Sequence, residues 1–185
     1  MRMYPAKFGL PRDFRVLDEE DSRRLFQGLL KEKNISKQEG QKLYNAVNQA
    51  IEGIRFLDED NKFDKMVIEL QEPFLNAMLD QGAVSFSYLM GALKRKLEED
   101  ASFREHFQSF FDYIIIDEFQ DTNITQYEII KNISKSDNIC VIGDPNQCIY
   151  EWRMAHPDNI MSFIEDYNPE IIKLSTNYRS SKAIL

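Results

Sequence analysis

Two adjacent carboxylates, Asp117 and Glu118, are the side chains of this sequence best suited to chemistry. They directly follow a short apolar run at 113–116. A carboxylate at the end of a buried strand can hold Mg²⁺, because that cation prefers oxygen ligands. A neighbouring carboxylate can orient and deprotonate an attacking water. Acidic residues also end many strands with no chemical role, so this pair alone leaves both interpretations open.

Two further polar segments follow apolar runs in the same way. Gln147 lies in the segment 143–147, after the run 139–142, and Arg179 lies in 175–180, after the run 171–174. By itself Gln147 is typical of a solvated loop residue and Arg179 of a surface ion pair. Ligands of parallel sheets bind beyond the carboxyl ends of the strands. The three segments together therefore predict one site at one sheet edge.

The second part of the chain alternates between two kinds of pattern. The apolar runs 113–116, 139–142 and 171–174 predict three strands, the first two of them buried. The segments 123–134 and 157–167 predict helices between the strands, and a last helix is expected to begin near Ser180. This alternation predicts an α/β fold with parallel strands and right-handed crossovers.

The first 110 residues show helical periodicity instead. Apolar residues recur at three- and four-residue steps in five segments, and we interpret these stripes as core-forming faces without chemistry. Ser36 and Glu39 fit a capping box at the start of the second helix. Pro73 predicts an interruption of the third helix. The five stripes lie at 25–30, 43–54, 66–75, 86–97 and 103–110.

Composition excludes several classes of protein. The net charge of −8 disfavours nucleic-acid binding through bulk charge, and residues 111–170 hold 12 acids and 3 bases. No apolar run approaches the roughly 20 residues of a membrane span, and no signal-peptide pattern opens the chain. The two cysteines, Cys140 and Cys148, cannot form a disulfide framework or a zinc site by themselves. We therefore expect a cytoplasmic protein without a membrane partner.

Three strings in the second part resemble motifs of a known family. Asp-Glu-Phe-Gln-Asp-Thr-Asn at 117–123, Gly-Asp-Pro-Asn-Gln-Cys-Ile-Tyr-Glu-Trp-Arg at 143–153 and Asn-Tyr-Arg-Ser at 177–180 resemble motifs II, III and IV of UvrD/Rep/PcrA superfamily 1 DNA helicases. Residues 14–26 and 86–112 resemble the segments that flank the family's helical insert. The resemblance implies a helical insert at 1–110. It implies the C-terminal half of a RecA-like ATPase domain, with a partial parallel sheet, at 111–185.

The resemblance implies a nucleotide-handling role for five residues. Asp117 would bind Mg²⁺, and Glu118 would activate the water that hydrolyses ATP. Gln147 would contact the γ-phosphate and relay its presence to the DNA site. Tyr178 would stack on the adenine, and Arg179 would contact the γ-phosphate as its charge develops.

Three more residues are implied to face single-stranded DNA: Tyr150, Trp152 and Arg153. Aromatic faces stack on bases without regard to sequence, and arginine pairs with phosphate. A buried anchoring role for Trp152 stays open. The chain departs from the family at Met154, where glycine is common, and at 85–88, where relatives carry a more acidic string.

We therefore expect a fragment of an ATP-dependent DNA helicase that acts on single-stranded DNA and on junctions of single and double strands. None of the seven glycines is followed by lysine, so a GxxxxGK phosphate loop is absent from this sequence. The isolated chain is expected to be inactive and to self-associate through exposed sheet edges. Two alternatives stay open: a DNA-binding or regulatory homologue without a phosphate loop, and a piece of a helicase–nuclease subunit.

Overall fold

The computed structural model describes residues 1–31, 35–135, 138–147, 159–176, 178 and 181. Within these ranges the chain forms seven α-helices and four short strands. The helices are α1 Glu19–Leu30, α2 Lys37–Glu52, α3 Lys62–Leu79, α4 Phe86–Glu99, α5 Ala101–Gln108, α6 Ile124–Ile133 and α7 Asn159–Tyr167. The strands are β1 Arg15–Val16, β2 Ala83–Val84, β3 Ile114–Ile116 and β4 Ile139–Val141. The helix predicted near Ser180 lies outside the described residues.

Polar side chains fix the starts of the helices in the first part. The Ser36 hydroxyl accepts a hydrogen bond from the Glu39 amide at 3.2 Å, so the Ser36 half of the predicted capping box is confirmed, whereas no return hydrogen bond from the Glu39 side chain to the Ser36 amide is seen. Asp18 caps α1 in the same way through the Asp21 amide at 2.8 Å. Each cap supplies a partner for an amide that the helix itself leaves unpaired. The five helices predicted in the first 110 residues are present, and details of three of them, α3, α4 and α5, need correction.

The predicted interruption at Pro73 is wrong. Helix α3 continues through this proline from Lys62 to Leu79. Proline removes one backbone hydrogen bond from a helix interior. The apolar face of α3 buries Val67, Leu70, Phe74 and Met78, and this packing outweighs the loss.

The main core lies among α1, α2 and α3. Phe26 packs edge to face against Tyr44 and Phe74, with ring centroids 5.6 and 5.1 Å apart. The prediction that Phe86 belongs to a core face is wrong, because its side chain is 70% exposed. Phe86 is the first residue of α4, directly after the cap at Ser85, and lies beyond the part of the helix that packs. Phe110, 48% exposed, likewise lies past the end of α5.

Two parallel strand pairs are present in the described chain. Strand β3 pairs with β4 in the register Ile114–Ile139, Ile115–Cys140 and Ile116–Val141, and α6 lies between them in sequence. This confirms mixed α/β structure with parallel pairing. Strand β1 pairs with β2, which the sequence did not predict, because strands of two residues carry no periodic pattern.

Three strand predictions need correction. Strands β3 and β4 are not buried on both faces, since Ile115 is 69% exposed and its β4 partner Cys140 is exposed as well. One face of the pair packs on a cluster of Phe119, Tyr127 and Phe163, and the other face contacts solvent. The run 171–174 is not a strand in this structure, and Leu174 is 87% exposed. A β-branched apolar run favours extended backbone, but a strand also needs a hydrogen-bonded neighbour, and this run does not join the β3–β4 ladder.

None of the helices in the described ranges is long and apolar enough to cross a membrane.

Candidate active site

The carboxyl ends of β3 and β4 lie side by side because the two strands are parallel. Their hydrogen bonding continues beyond the strands themselves. The Ile142 amide donates to the Ile116 carbonyl at 2.8 Å, and the Phe119 amide donates to the Ile142 carbonyl at 2.9 Å. The turn after β3 and the loop after β4 are thereby held together as one edge, which we call the strand-end edge (residues 117–121 and 142–147).

Asp117 and Glu118 are both exposed at this edge. The Asp117 carboxylate accepts a hydrogen bond from the Glu118 amide at 2.9 Å. Glu118 has a φ of +52° and a ψ of +40°, the left-handed conformation that residues other than glycine rarely adopt. Such strained backbone often occurs at functional sites. The turn leads the chain from β3 directly into a 3₁₀ turn at Phe119–Asp121.

Gln120 lies beneath these carboxylates and is 1% exposed. Its Nε2 donates to Glu118 Oε2 at 2.6 Å, and its Oε1 accepts from the Asp144 amide at 3.1 Å. Sequence reasoning missed this residue, because a glutamine in a turn is usually solvated. Its position two residues after Glu118, within the string 117–123, was the feature of the sequence that could have identified it.

Gly143 allows the loop after β4 to approach Gln120 closely. A Cβ atom at this position would lie 2.7 Å from Gln120 Oε1, and 3.3 Å from the Gln120 backbone nitrogen. Real Cβ atoms do not approach other atoms so closely, so a larger residue at 143 would displace the Gln120 side-chain amide from this arrangement.

Asp144 organises the remainder of that loop. Its Oδ2 accepts from Gln147 Nε2 at 2.8 Å, and its Oδ1 accepts from the Asn146 amide at 2.9 Å. These hydrogen bonds, chiefly that from Gln147, hold the pKa of Asp144 below its usual value. Asp144 is therefore an ionised residue of the site that sequence reasoning missed. Gln147 itself is exposed.

A buried aromatic cluster packs against the inner side of the strand-end edge. Phe119 is fully buried and packs against Tyr127 and Phe163, with ring centroids 5.7 and 5.6 Å away. The Asn159 side chain, at the start of α7, donates to the Thr122 carbonyl at 2.8 Å. Helices α6 and α7 thus fix the turn that carries the two exposed carboxylates.

Helix α6 also connects the edge to the first part of the chain. Asn123 and Gln126 form a reciprocal capping box at its start. The Asn123 side-chain Nδ2 donates to Glu52 Oε1 at 2.8 Å, and the Ser87 hydroxyl donates to Glu52 Oε2 at 3.3 Å. Burial raises the pKa of Glu52, although these two hydrogen bonds act in the opposite direction. Glu52 ends α2, so one carboxylate joins α2, α4 and α6.

The structure brings three of the predicted residues to one edge: Asp117, Glu118 and Gln147. Tyr178 is described and is 93% exposed. The other predicted site residues lie outside the described residues, as does Met154. They are Arg179, Tyr150, Trp152 and Arg153.

The carboxylates of the strand-end edge fit a Mg²⁺ ion that takes few of its ligands from the protein, rather than one surrounded by protein ligands. Within the described ranges no three His, Cys, Asp or Glu side chains are grouped to hold a metal. Mg²⁺ commonly takes one or two carboxylates, with water and substrate phosphates completing its octahedron. The exposed carboxylate of Asp117 suits that mode of binding.

A parallel strand pair with carboxylates and amides at its carboxyl edge defines an α/β protein, a class in which ligands bind beyond the carboxyl ends of the strands. The chain belongs to the family of the UvrD/REP helicase N-terminal domain, which it matches over residues 1–168.

Named relatives agree with this assignment. The chain is 33% identical to DNA helicase II of Haemophilus influenzae, over 100% of this chain and 26% of the relative. It is 32% identical to the ATP-dependent DNA helicase PcrA of Bacillus subtilis, over 97% of this chain and 25% of the relative. A probable DNA helicase II homologue of Mycoplasma capricolum is 31% identical over 100% of this chain and 27% of the relative. The chain thus spans about a quarter of the length of these curated relatives.

Proposed function

We propose that this chain is part of an ATP-dependent DNA helicase that couples ATP hydrolysis to movement along single-stranded DNA and to unwinding at junctions of single and double strands. Residues 1–110 would form its helical insert, and 111–185 the C-terminal half of its RecA-like motor domain. The family match and the names of the relatives support this proposal. The observation that carries it is the juxtaposition of Asp117, Glu118 and Gln147 at one strand-end edge.

Each residue of the edge has a part in ATP hydrolysis under this proposal. Asp117 holds Mg²⁺, which when bound offsets the negative charge of the phosphates. Glu118 accepts the proton of the attacking water, and its turn holds the carboxylate at the exposed edge. Gln147 contacts the γ-phosphate. Tyr178, whose ring is exposed, stacks on the adenine, and Arg179 stabilises the charge that develops on the γ-phosphate.

The DNA-facing residues follow the γ-phosphate contact directly along the chain. Only two residues separate Gln147 from Tyr150, and Trp152 and Arg153 come next. A change in the loop at 143–147 would therefore reach the DNA contacts through a very short segment. Stacking of Tyr150 and Trp152 on bases, with Arg153 on phosphate, gives binding without sequence preference.

The isolated 185-residue chain is proposed to be catalytically incompetent. It holds no GxxxxGK sequence to cradle the β- and γ-phosphates. The carboxylates at the strand-end edge repel phosphate unless Mg²⁺ lies between them. A cytoplasmic location stays a prediction from the sequence.

A segment exchange tests the proposed function. The matched quarter of the Bacillus subtilis PcrA relative is replaced by residues 1–185 of this chain, and ATP turnover is measured with Mg²⁺ and excess single-stranded DNA. We expect DNA-stimulated turnover, and we expect Glu118→Gln in the same chimera to lower it by about 100-fold or more, since the general base is removed.

Folding is checked separately, by circular dichroism and by DNA binding. A chimera that folds and binds DNA but hydrolyses no ATP would contradict the proposal. Turnover that is insensitive to Glu118→Gln would contradict the role given to Glu118.

A further inference from the structure

We propose that Gln120 is a positioning residue that fixes the Glu118 carboxylate and joins it to the loop carrying Gln147, so that these two groups are held as one unit. The roles of Glu118 and Gln147 rest on the proposed function. The linkage itself rests on hydrogen bonds and burial in the described residues.

The first observation is the burial of a polar side chain under an exposed site. Gln120 is 1% exposed, whereas Glu118 and Gln147 are exposed. An amide buried without hydrogen bonds is costly, so its donors and acceptor need partners. Gln120 finds one partner on each of the two segments of the strand-end edge, at 2.6 and 3.1 Å.

The second observation is that the partners determine which way the amide faces. The oxygen of an ionised carboxylate can only accept a hydrogen bond, and a backbone N–H can only donate one. The Nε2 of Gln120 must therefore face Glu118, and its Oε1 must face the Asp144 amide. A flipped amide would set oxygen against oxygen on one side and N–H against N–H on the other.

The third observation is the fit of the loop around this side chain. A Cβ at position 143 would lie 2.7 Å from Gln120 Oε1, so the loop follows the shape of the glutamine. From Asp144 the hydrogen bonding continues to Gln147, through Oδ2 and Nε2 at 2.8 Å. A continuous chain of hydrogen bonds therefore runs from Glu118 through Gln120 and Asp144 to Gln147.

This linkage gives Gln120 a consequence beyond stability. The same side chain holds the Glu118 carboxylate and the 143–147 loop, so neither moves without disturbing a hydrogen bond of Gln120. The general base and the γ-phosphate contact are thus set in a fixed relation before substrate arrives, as preorganised catalysis requires.

Two substitutions separate the two ends of the linkage. Gln120→Glu keeps an oxygen for the Asp144 amide but loses the donor to Glu118. Gln120→Met has a similar length and loses both hydrogen bonds. The measurements are the hydrogen-exchange rate of the Asp144 amide and the ¹³C shift of the Glu118 side-chain carboxyl carbon, by NMR on the 185-residue chain without metal or nucleotide.

We expect Gln120→Met to speed exchange of the Asp144 amide by about tenfold and to shift the Glu118 carboxyl signal. We expect Gln120→Glu to shift the Glu118 signal while exchange at Asp144 changes by less than about twofold, because the acceptor remains. A general loss of packing would instead change both the Asp144 exchange rate and the Glu118 carboxyl signal in both variants. Gln27→Glu and Gln27→Met make the same changes at an exposed position of α1 and should alter neither signal.

A third variant guards against misfolding of the Gln120 substitutions. Gly143→Ala places a methyl group against Gln120 Oε1 and should also speed exchange at Asp144. Combining it with Gln120→Ala removes the 2.7 Å contact with Oε1 and leaves only the looser contact of 3.3 Å with the backbone nitrogen, so the double variant should exchange little faster than Gln120→Ala alone.

The proposal is overturned if Gln120→Met leaves both signals unchanged. Additive effects of Gly143→Ala and Gln120→Ala would overturn it equally, since independent sites add. All these measurements are made without substrate. An inactive chimera with an intact linkage would therefore refute the proposed function and leave the inference standing. An active chimera, together with unchanged NMR signals in Gln120→Met, would overturn the inference and leave the proposed function standing.

Discussion

At the scale of single residues, the site depends on a few contacts that tolerate little change. Glu118 adopts left-handed backbone, Gly143 leaves room for Gln120, and Glu52 joins three helices with one carboxylate. Asp117, Glu118 and Gln147 were predicted as site residues, because their strings are specific. Gln120 and Glu52 were not, since Asp144 lies 24 residues from Gln120 and Asn123 lies 71 residues from Glu52, and only the fold brings each pair together.

Glu52 predicts a pH dependence of stability. Burial raises the pKa of its carboxyl group in the folded chain above the ordinary value of 4.5. Its contribution to stability is therefore fully present below that ordinary value and is lost as the pH rises through the higher folded value. Glu52→Gln stays neutral at every pH and can still bond to Asn123 and Ser87.

The measurement is the free energy of unfolding in urea, for the wild-type chain and for Glu52→Gln, at pH 4 and pH 8. Between pH 4 and pH 8 the free energy of unfolding of the wild type should fall relative to that of Glu52→Gln. Glu69→Gln, at an exposed position of α3, is the control and should show no such loss. If the free energy of unfolding of the wild type instead rises with pH relative to that of Glu52→Gln, the charged form of Glu52 is not disfavoured by folding.

At the scale of elements, the close approach of α2 and α4 fixes the helical part against the site. A Cβ at Gly91 would lie 2.1 Å from the Ile51 carbonyl oxygen, which is backbone and cannot move aside. We expect Gly91→Ala to lower the free energy of unfolding by about 3 kcal/mol through overpacking.

Gly28→Ala is the matched control for that substitution. Gly28 lies in α1 with nothing within 4 Å of its missing Cβ. Alanine should therefore raise the free energy of unfolding by roughly 0.5–1 kcal/mol, since it restricts the unfolded chain. Equal effects of both substitutions in urea denaturation would show that α2 and α4 do not pack as described.

The joint between α6 and α7 is a second element-level feature. The Tyr127 hydroxyl donates to Asp166 Oδ2 at 2.6 Å, and Lys131 Nζ lies 3.0 Å from the same oxygen. These contacts, first that of Tyr127, hold the pKa of Asp166 below its usual value. We expect Tyr127→Phe to lower the free energy of unfolding by about 1.5 kcal/mol, because a hydrogen bond to a charged group is lost.

Tyr113→Phe provides the comparison, because Tyr113 is 80% exposed. Its effect should stay within about 0.5 kcal/mol, as for most surface substitutions. Thermal unfolding monitored by circular dichroism would measure both variants. A loss for Tyr127→Phe no larger than for Tyr113→Phe would mean that the hydrogen bond does not hold α7 in place.

The elements also show where prediction from sequence stops. The helices were predicted because an amphipathic stripe and a capping residue are local features. Parallel pairing of β3 and β4 was predicted from the alternation of strand and helix patterns. The run 171–174 (Ile-Ile-Lys-Leu) is mostly apolar and begins with two β-branched residues, as these strands do, and yet it forms no strand, because pairing depends on a neighbour and not on the run itself.

At the scale of the whole molecule, strand β3, the loop after β4 and the segment 171–174 present apolar side chains to solvent. Ile115, Ile142, Ile172 and Leu174 are 69, 46, 75 and 87% exposed. Exposed apolar strands recruit other chains. We therefore expect the isolated chain to self-associate, with an average mass in sedimentation velocity that rises with concentration.

Ile115→Lys should reduce this association, because it places a charge in the middle of β3. Phe56→Lys introduces the same charge at a residue that is 89% exposed in the helical part, and it should leave association unchanged. A monomer at all concentrations, or equal effects of the two substitutions, would contradict the role of this face.

Paramagnetic broadening by Mn²⁺ with ATP tests most directly whether a metal–nucleotide complex binds at Asp117. Mn²⁺ replaces Mg²⁺ at oxygen ligands and broadens NMR signals of nearby amides. We predict broadening centred on 117–118 and 143–147 that Asp117→Asn removes, while Asp13→Asn, an exposed aspartate near the N-terminus, leaves it intact. Broadening that is spread over the acidic surface, or that persists in Asp117→Asn, would contradict the account.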